Sequence, residues 1–286
     1  MTISVAMIVK NEEVLIERAL SSVVAADEII VVDTGSTDST VDLAKQFTDF
    51  VYTDYAWKDD FAAARNISIS RCTGDWVLIL DADEFVDDGF ISAARSLLYG
   101  VPHDAVTVDV VAEDKKTSFR QIRLVQPHMR YTGAAHNYIA TKNTVYIPLT
   151  LYYGHSPAHA LDPDRTLRIL EASLTANPLP RTMYYYAREL FYRKDFIRAS
   201  WWWEKYVISS TFTPELADAY LYLARCYWSL GDGAKARGRC MSAILINPDF
   251  REALYFMAEL SHPEQGACWA RYASIATNEN VLFVRD

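Results

Sequence analysis

Cysteines and long apolar runs are both scarce in this sequence of 286 residues. Its four cysteines are scattered without a C-x-x-C spacing, so we expect neither a zinc cluster nor a disulfide framework, and a reducing cytoplasm fits best. No apolar run reaches the roughly 18 residues of a transmembrane helix, so we expect no membrane partner. The N-terminal apolar run is short and follows no basic stretch, which is typical of a first strand and not of a signal peptide.

Basic charge is also in deficit, and the deficit lies in one half of the chain. The net charge of −9 argues against a general nucleic-acid coat. Residues 1–160 carry 13 Lys and Arg against 22 Asp and Glu, whereas residues 161–286 carry 15 of each kind. A metal or a polar ligand in the first half would account for some of this acid, and a solvated surface for the rest.

The first half alternates apolar strands with helical patterns. The predicted strands are 3–9, 28–33, 49–54 and 75–83, and the predicted helices are 14–24, 39–47 and 59–72. This alternation predicts an α/β domain with a mostly parallel sheet covered on both faces. Ligands of such sheets bind at the carboxyl ends of the strands. Lys10–Glu12, Asp33–Thr34 and Asp81–Asp83 lie at these ends, so we expect them to converge on one edge.

The second half has helical periodicity and an internal repeat. Residues 161–177 predict one helix. A pattern of small residues then recurs after 34 positions, in which Ala219, Leu223, Ala224 and Ala236 are followed by Ala253, Met257, Ala258 and Ala270. An earlier copy comprises Ala187, Asp195, Phe196, Ala199 and Trp203. The period resembles the tetratricopeptide repeat, so we expect two domains, an α/β domain at 1–160 and an all-α repeat domain at 161–286.

Asp81 and Asp83 follow the fourth apolar strand directly. Two carboxylates at positions i and i+2 can both turn toward one hard cation, Mg²⁺ or Mn²⁺, which takes oxygen ligands and can bridge a diphosphate. A lone D-x-D is a weak signal because Asp is common after strands. Here it ends a strand of a strand–helix unit, where a ligand is expected.

The segment VVDTGSTDST (31–40) carries a second candidate site. Ser36, Thr37 or Asp38 can cap the helix that follows, which would explain the polar composition without any ligand. Helix capping does not require Asp33, and a buried aspartate at a strand end is suited to hydrogen-bond a ligand ring or hydroxyl.

Arg65 lies in the segment DDFAAARN (59–66), on a predicted helix with a small-residue face. Arginine can bind a phosphate through two parallel hydrogen bonds. An ion pair with Asp59 or Asp60 is the equally weighted alternative.

Four segments in this order, ISVAMIVKNEE, ADEIIVVDTGSTDST, DDFAAARN and GDWVLILDADEF, resemble the family 2 glycosyltransferases. The similarity is greatest to the subgroup in which a Rossmann-like GT-A domain precedes tetratricopeptide helices, as in bacteriocin peptide S-glycosyltransferases. The resemblance implies a metal-dependent, inverting transfer of a sugar from a nucleotide-diphosphate donor, usually a UDP-sugar, with Mn²⁺ or Mg²⁺ as cofactor.

The resemblance also implies roles for individual residues. Arg65 would lie near the diphosphate and Ala82 near the ribose, while Asp83 and Asp81 would reach the metal. The base and ribose would be held by Val9, Lys10, Asn11, Glu12, Asp33 and Thr34. Relatives carry a His-Tyr-Gly element whose His completes the metal shell. This chain has Tyr152–His155 in a shifted order, so His155 is the first candidate for a third ligand and His159 the second.

The general base is less well indicated. Relatives carry Tyr-x-Gly-x-x-His-Glu, but this chain has Asn137 in the place of that Glu, and an amide cannot accept the proton. His136 and Glu84 are therefore the catalytic candidates beside Asp83, and Asp109 and Glu113 are alternatives. A base must lie within hydrogen-bond reach of the acceptor, which the sequence does not show.

Residues 183–206 are rich in aromatics, among them Tyr184–Tyr186 and Trp201–Trp203, with arginines interleaved. Consecutive helical residues point about 100° apart, so we expect some of these rings to be exposed or covered by the first domain. Ordinary repeat packing is the favoured explanation of these aromatic residues, and the acceptor would then be a peptide or a glycan. A nucleic-acid acceptor, such as a modified base of phage-type DNA, would use the same rings for stacking. A nucleotide-binding repeat adaptor without activity is the non-enzyme alternative.

Overall fold

The computed structural model describes residues 1–157 and 162–277. The chain divides into two compact units, Met1–Arg165 and Thr166–Asp286, close to the boundary predicted at residue 160. Within the described residues, no helix has the length and apolar character needed to cross a membrane.

The first unit is an α/β domain. Its strands are β1 (Ile3–Val9), β2 (Glu28–Asp33), β3 (Val51–Tyr52), β4 (Trp76–Ile79), β5 (Glu84–Val86), β6 (Ala105–Ala112), β7 (Ser118–Val125), β8 (Tyr131–Thr132), β9 (Tyr138–Ile139) and β10 (Thr144–Tyr153). Its helices are α1 (Ile16–Ser21), α2 (Thr40–Ala44), α3 (Phe61–Ser70) and α4 (Phe90–Leu98). The first two strands have the predicted bounds, and β3 is shorter than predicted.

Eight strands form one sheet in the order β3-β2-β1-β4-β7-β6-β10-β5, and β8 and β9 form a small hairpin. Strands β3, β2, β1 and β4 are mutually parallel, and β6 is parallel to β10. Strand β7 is antiparallel to both of its neighbours, so β6 and β10 run in the same direction as β1. The mostly parallel, GT-A-like sheet predicted from the sequence is therefore confirmed, and six strands end on one edge.

Helices cover both faces of this sheet. Buried residues of α1 and α4, such as Leu20 and Ala94, share a core with Met7 and Leu78 of the central strands. On the other face, Ile69 of α3 packs against a second set of strand residues that includes Ala6, Val77 and Val125. Each fully buried aliphatic side chain contributes roughly 1.5–3 kcal/mol, so the alternation of the two faces fixes the strand register.

The second unit consists of helices, as predicted. They are α5 (Arg165–Ala176), α6 (Pro180–Tyr192), α7 (Phe196–Ser209), α8 (Thr213–Ser229), α9 (Gly233–Ile246), α10 (Arg251–Glu259) and α11 (Pro263–Ile275). After α5 they form three successive helical pairs. The first two turns are built alike, because Asp195 and Asp232 cap α7 and α9 by accepting the amide protons of Arg198 and Lys235.

The third pair departs from the predicted repeat. Ala236 is fully buried four residues after the N-cap of α9, and the matching position of α11 is held by Gly266, which is also buried. A Cβ on Gly266 would lie only 2.7 Å from the carbonyl oxygen of Ala258, so the crossing helices meet there. Ala270, which the period predicted for this role, is only half-buried. The connection from Ala258 is one helical turn shorter than in the middle copy.

The aromatic prediction was also partly wrong, because Tyr184, Tyr185 and Tyr186 are all buried. Their side chains point in different directions, but α6 has neighbours on several sides. The Tyr184 hydroxyl donates to Asp218 on α8, and the Tyr186 hydroxyl donates to Glu171 on α5 at 2.6 Å. A helix surrounded by other helices can bury consecutive rings. Of the tryptophans on α7, Trp203 is buried and Trp201 is 54% exposed.

Candidate functional site

The loops that follow β1 and β2 are joined by side chain–backbone hydrogen bonds. The Asn11 amide donates to the Ser36 hydroxyl at 2.9 Å, and the Glu12 amide donates to the Thr40 hydroxyl at 2.7 Å. In return, the Thr37 amide donates to the Asn11 side-chain oxygen at 2.8 Å. Ser36 and Thr37 therefore join the two loops instead of capping α2, whereas the Asp38 carboxylate accepts the amide proton of Thr40, the first residue of α2, at 3.0 Å. They hold two loops together at the carboxyl edge of the sheet.

Asp33 is buried at the end of β2 and organises the loop that follows it. Its carboxylate accepts the amide protons of Gly35 at 3.0 Å and of Ser36 at 3.1 Å. Gly35 has a φ of +108°, a conformation that glycine adopts without strain. Thr34 donates its amide to the carbonyl of Val9, which joins the ends of the first two strands. Lys10, which directly follows Val9, is exposed.

Asp81 lies at the start of a turn between β4 and β5, and Arg65 is its main partner. One Nη atom of Arg65 lies 2.7 Å and 2.8 Å from the two carboxylate oxygens. The alternative ion pairs of Arg65 do not form, because Asp60 caps α3 and Asp59 accepts the indole proton of Trp57. Burial by itself raises the pKa of the Asp81 carboxyl, but the neighbouring guanidiniums outweigh burial and hold the pKa below its usual range.

Two residues behind this turn complete a buried charged network. The Glu84 carboxylate accepts the amide proton of Asp81 at 2.9 Å and an ion-paired hydrogen bond from Arg123 on β7. Arg123 also lies 3.7 Å from the Asp81 carboxylate. The side chains of Arg123 and Glu84 are only 7% and 4% exposed. Burial raises the pKa of Glu84, and Arg123 opposes this effect. Glu84 thus has partners at both oxygens, which is unlike a base that awaits a proton.

Arg123 was missed by the sequence analysis, since β7 was not among the predicted strands. The available signal was one arginine within the apolar segment QIRLV (121–125), because an arginine buried in a strand needs a carboxylate partner.

Glu12 lies close to both aspartates of the D-x-D turn. Burial raises its pKa to about 7, and repulsion from Asp83 and Asp81 adds to this, whereas a hydrogen bond from Ser156 lowers it. The Asp83 carbonyl accepts the amide proton of Gly154 at 2.8 Å, which ties the turn to the residue after β10. The carboxylates of Glu12, Asp81 and Asp83 thus lie at the same edge of the sheet, although Glu12 is distant from the aspartates in sequence.

The predicted three-ligand metal set is not assembled in the part of the chain that the structure describes. No group of three or more His, Cys, Asp or Glu side chains arranged for a metal ion occurs among residues 1–157 and 162–277. His155 is exposed and lies edge-on to Tyr153, and His159 lies outside the described residues. Mg²⁺ and Mn²⁺ sites of this kind use one or two carboxylates and complete the shell with substrate phosphates and water. Asp83 fits such an open site, and Asp81, which acts on Glu12 as Asp83 does, has its carboxylate paired with Arg65.

The remaining base candidates lie in different places. His136 is exposed in the turn between β8 and β9, with a φ of +47°. This hairpin is held near α3, because the Phe61 amide donates to the Ala134 carbonyl at 2.9 Å. Asn137, which stands in the place of the family Glu, is half-buried in the same turn.

Glu113 and Asp109 both belong to the β6 region. Glu113 directly follows β6 at the carboxyl edge, where it pairs with Arg18 at 2.8 Å. A Cβ on Gly154 would lie 3.4 Å from the Glu113 carboxylate and 3.6 Å from the Asp83 carbonyl, so Glu113 is near the D-x-D turn. Asp109 lies within β6, away from that edge, and accepts the Tyr146 hydroxyl at 2.6 Å.

Comparisons with known proteins identify a family. The family model "Glycosyl transferase family 2" matches residues 4–158. The SPbeta prophage-derived glycosyltransferase SunS of Bacillus subtilis is 31% identical over 207 residues, which are 66% of this chain and 49% of SunS. A TPR repeat-containing protein of Synechococcus elongatus is 50% identical over 84 residues, 29% of this chain and 20% of that protein. The chain thus spans half or less of the length of these curated relatives.

Among solved structures, S. aureus TarS 1–349 in complex with UDP aligns with 89% of this chain and 93% of its own, with a TM-score of 0.47 and 14% identity. Glucosyl-3-phosphoglycerate synthase from Mycobacterium tuberculosis, in complex with Mn²⁺, UDP-glucose and phosphoglyceric acid, aligns with 38% of this chain and 44% of its own. Its TM-score is 0.33 and its identity is 28%.

Proposed function

The chain belongs to glycosyl transferase family 2, and from that membership we propose that its first unit moves a sugar from a nucleotide-diphosphate donor, a UDP-sugar, to an acceptor. One observation carries this proposal. The loops after β1 and β2, the D-x-D turn and Arg65 are all held together around one edge of the sheet. A nucleotide, a diphosphate and a sugar need these groups side by side.

We assign the base and ribose of the donor to the two joined loops. Val9–Glu12 and Asp33–Thr34 form the carboxyl ends of neighbouring parallel strands, and their backbones are fixed by mutual hydrogen bonds. Ala82 is buried within the D-x-D turn, and its methyl side chain is too small to obstruct the ribose. A rigid site of this kind binds a ligand with little loss of conformational entropy.

The diphosphate would lie beside Arg65 and Asp83. Asp83, with Asp81 beside it, would hold Mg²⁺ or Mn²⁺, and His155 remains the candidate third ligand. When bound, this cation supplies charge stabilisation to the departing diphosphate. Arg65 supplies the second positive charge, and its guanidinium is already oriented by Asp81 at 2.7 Å.

Inversion at the anomeric carbon requires attack from the face opposite the leaving diphosphate. The acceptor must lose its proton during this attack, and Asn137 cannot accept it. Glu84 is committed to Arg123 and to the Asp81 amide, so we assign it a supporting role. Glu113 and His136 are the proton acceptors that we put forward, since both are exposed and Glu113 lies near the Asp83 turn.

The acceptor is proposed to be a peptide, a protein or a glycan. A nucleic-acid acceptor was suggested by the aromatic residues of the helical unit. Most of these rings are accounted for by packing, since Tyr184, Tyr186, Trp203, Tyr206 and Tyr222 are at most 1% exposed. The exposed Tyr192 and the arginine–ring contacts of Arg188 and Arg225 keep the nucleic-acid acceptor as the second candidate.

A nucleotide-sugar screen tests the proposed function. UDP- and GDP-sugars are supplied with Mn²⁺, with Mg²⁺ or with EDTA, and released nucleotide and thermal stabilisation are measured. We expect one donor to be hydrolysed slowly with metal and not with EDTA, and the Asp83→Asn variant to lose this hydrolysis while it stays folded. If no nucleotide sugar binds with either metal, the enzyme proposal fails and the adaptor alternative replaces it.

A further inference from the structure

The network behind the D-x-D turn contains more charge than donor binding requires. Arg65 and Asp81 suffice for an oriented guanidinium, yet Glu84 and Arg123 form a second ion pair beside them. Glu84 and Arg123 are buried, where an ionised group is costly unless it is paired, whereas the side chains of Arg65 and Asp81 are 14% and 28% exposed. Neither Glu84 nor Arg123 is exposed enough to bind a substrate directly.

Glu84 and Arg123 hold Asp81 at two different points. One oxygen of Glu84 accepts the Asp81 backbone amide at 2.9 Å, which fixes the start of the turn. Its other oxygen binds Arg123, and a guanidinium nitrogen of Arg123 also lies 3.7 Å from the Asp81 carboxylate. The carboxylate of Asp81 therefore has two guanidiniums as neighbours, Arg65 in contact at 2.7 Å and Arg123 farther away.

Two hydrogen-bond donors of this network have no protein acceptor among the described residues. The Nε atoms of Arg65 and Arg123 are buried and have no hydrogen-bond partner among the described residues. The ring of Tyr131 lies 5.5 Å from the Arg65 guanidinium and restricts its movement. Arg65 is thus held in one orientation by its neighbours, and its Nε–H can still donate a hydrogen bond.

We propose that Glu84 and Arg123 are positioning residues of the donor site. They fix Asp81, and Asp81 fixes Arg65, so that the Arg65 guanidinium meets the diphosphate as negative charge develops on it. Preorganised charge of this kind lowers the barrier because no reorganisation is needed during the reaction. This inference rests on the proposed function and adds two residues that do not touch the substrate.

The test compares stability with turnover in single and double variants. Glu84→Gln and Arg123→Met each leave one buried charge without its partner, so each should lower the melting temperature. The double variant removes both charges, and we expect it to regain most of that stability. Its kcat for metal-dependent hydrolysis of the donor found in the screen should nevertheless stay about tenfold or more below wild type, in line with losses seen for supporting residues.

Two further variants complete the design. Arg120→Met is the matched control, because Arg120 lies on the same strand but is 63% exposed and pairs with Asp109. It should leave both quantities near wild type. Arg123→Lys keeps the positive charge but not the planar fork, so it should fold well and still lose about fivefold or more in kcat. It provides the measurement if the double variant does not fold.

The outcomes separate the two proposals. If wild type hydrolyses a donor and the double variant regains kcat together with stability, Glu84 and Arg123 are merely structural and the inference is overturned. An unchanged kcat in Arg123→Lys overturns it as well. If wild type neither binds nor hydrolyses any nucleotide sugar, the proposed function fails first and this inference falls with it.

Discussion

The Ser156 hydroxyl lies 2.7 Å and 2.9 Å from the two carboxylate oxygens of Glu12, although the residues are 144 positions apart. Ser156 follows the last strand of the sheet, and Glu12 follows the first. The hydrogen bond therefore joins the segments that follow the first and last strands at the carboxyl edge of the sheet. It also holds a carboxylate beside the like charges of Asp81 and Asp83.

Glu12 should give the protein a pH-dependent stability. Its pKa is raised from 4.5 to about 7, mainly by burial, so the folded state holds this proton more tightly than the unfolded state. Because the folded state binds more protons between these values, the free energy of unfolding should fall as the pH rises from 4.5 to about 7. We expect Glu12→Gln to flatten this part of the curve in thermal melts without metal. Glu13→Gln, at an exposed neighbouring site, is the control, and an unchanged slope in Glu12→Gln would contradict the prediction.

Asp83→Asn should separate folding from metal-dependent chemistry. The amide is nearly isosteric, and the Asp83 carbonyl that accepts the Gly154 amide is unaffected, so the melting temperature should stay near wild type. Loss of the anionic ligand should reduce metal-dependent donor hydrolysis by about a hundredfold or more. Asp109→Asn, which lies away from this edge, should remain active. Full activity in Asp83→Asn would remove this residue from the proposed metal site.

Arg65→Lys should reduce turnover more than donor affinity. Lysine keeps the charge but lacks the planar guanidinium, so it cannot pair with Asp81 through one nitrogen and present other N–H donors in a fixed plane. We expect kcat to fall about tenfold to a hundredfold while the Kd for UDP, measured by calorimetry, changes less. A variant with weakened UDP binding and normal kcat would mean that Arg65 contributes uniform binding instead.

Glu113→Gln and His136→Gln test which group accepts the proton. A variant that lacks the base should transfer the sugar poorly to water, but it should keep transfer to azide, which needs no deprotonation. We expect this pattern for Glu113→Gln, because Glu113 lies beside the D-x-D turn. The same pattern in His136→Gln alone would assign the role to His136. Equal losses with water and azide in both variants would exclude both residues as the base.

Gly266→Ala should destabilise the helical unit. The added Cβ would lie 2.7 Å from the Ala258 carbonyl oxygen, so the two helices must move apart. Overpacking of this kind costs about 1–3 kcal/mol, which urea unfolding can measure. Gly238→Ala is the control, because no atom lies within 4 Å of its Cβ position in α9, and it should stabilise by about 0.5–1 kcal/mol. Similar effects of the two substitutions would argue against the close crossing.

Local sequence patterns predicted much of the first half of the sheet. Strands β1 and β2 were placed at their observed ends, because continuous β-branched runs bounded by charge have few alternatives. The later strands β6, β7 and β10 were not placed. They are mixed with exposed polar residues, as in Ser118–Gln121, and their pairing depends on distant partners.

The repeat was predicted well where its spacing is regular. Ala199 and Ala236 are buried at equivalent positions, as the small-residue pattern indicated. The pattern assigned the third crossing to Ala270, but a shorter connection gives it to Gly266. A fixed period cannot reveal such a deletion, because the two helices of the pair each keep their own local pattern.

The sequence by itself determined the first strands of the sheet, which residues follow them, and hence that Asp33, Asp81 and Glu12 would lie on one edge. These properties depend on the order of apolar and polar residues over short distances. Only the tertiary structure decided that Arg65 pairs with Asp81 instead of Asp59 or Asp60, that Arg123 and Glu84 stand behind them, and that Ser156 reaches Glu12. Each of these contacts joins segments brought together by strand order and side-chain burial, and a buried charge selects its partner by proximity in space.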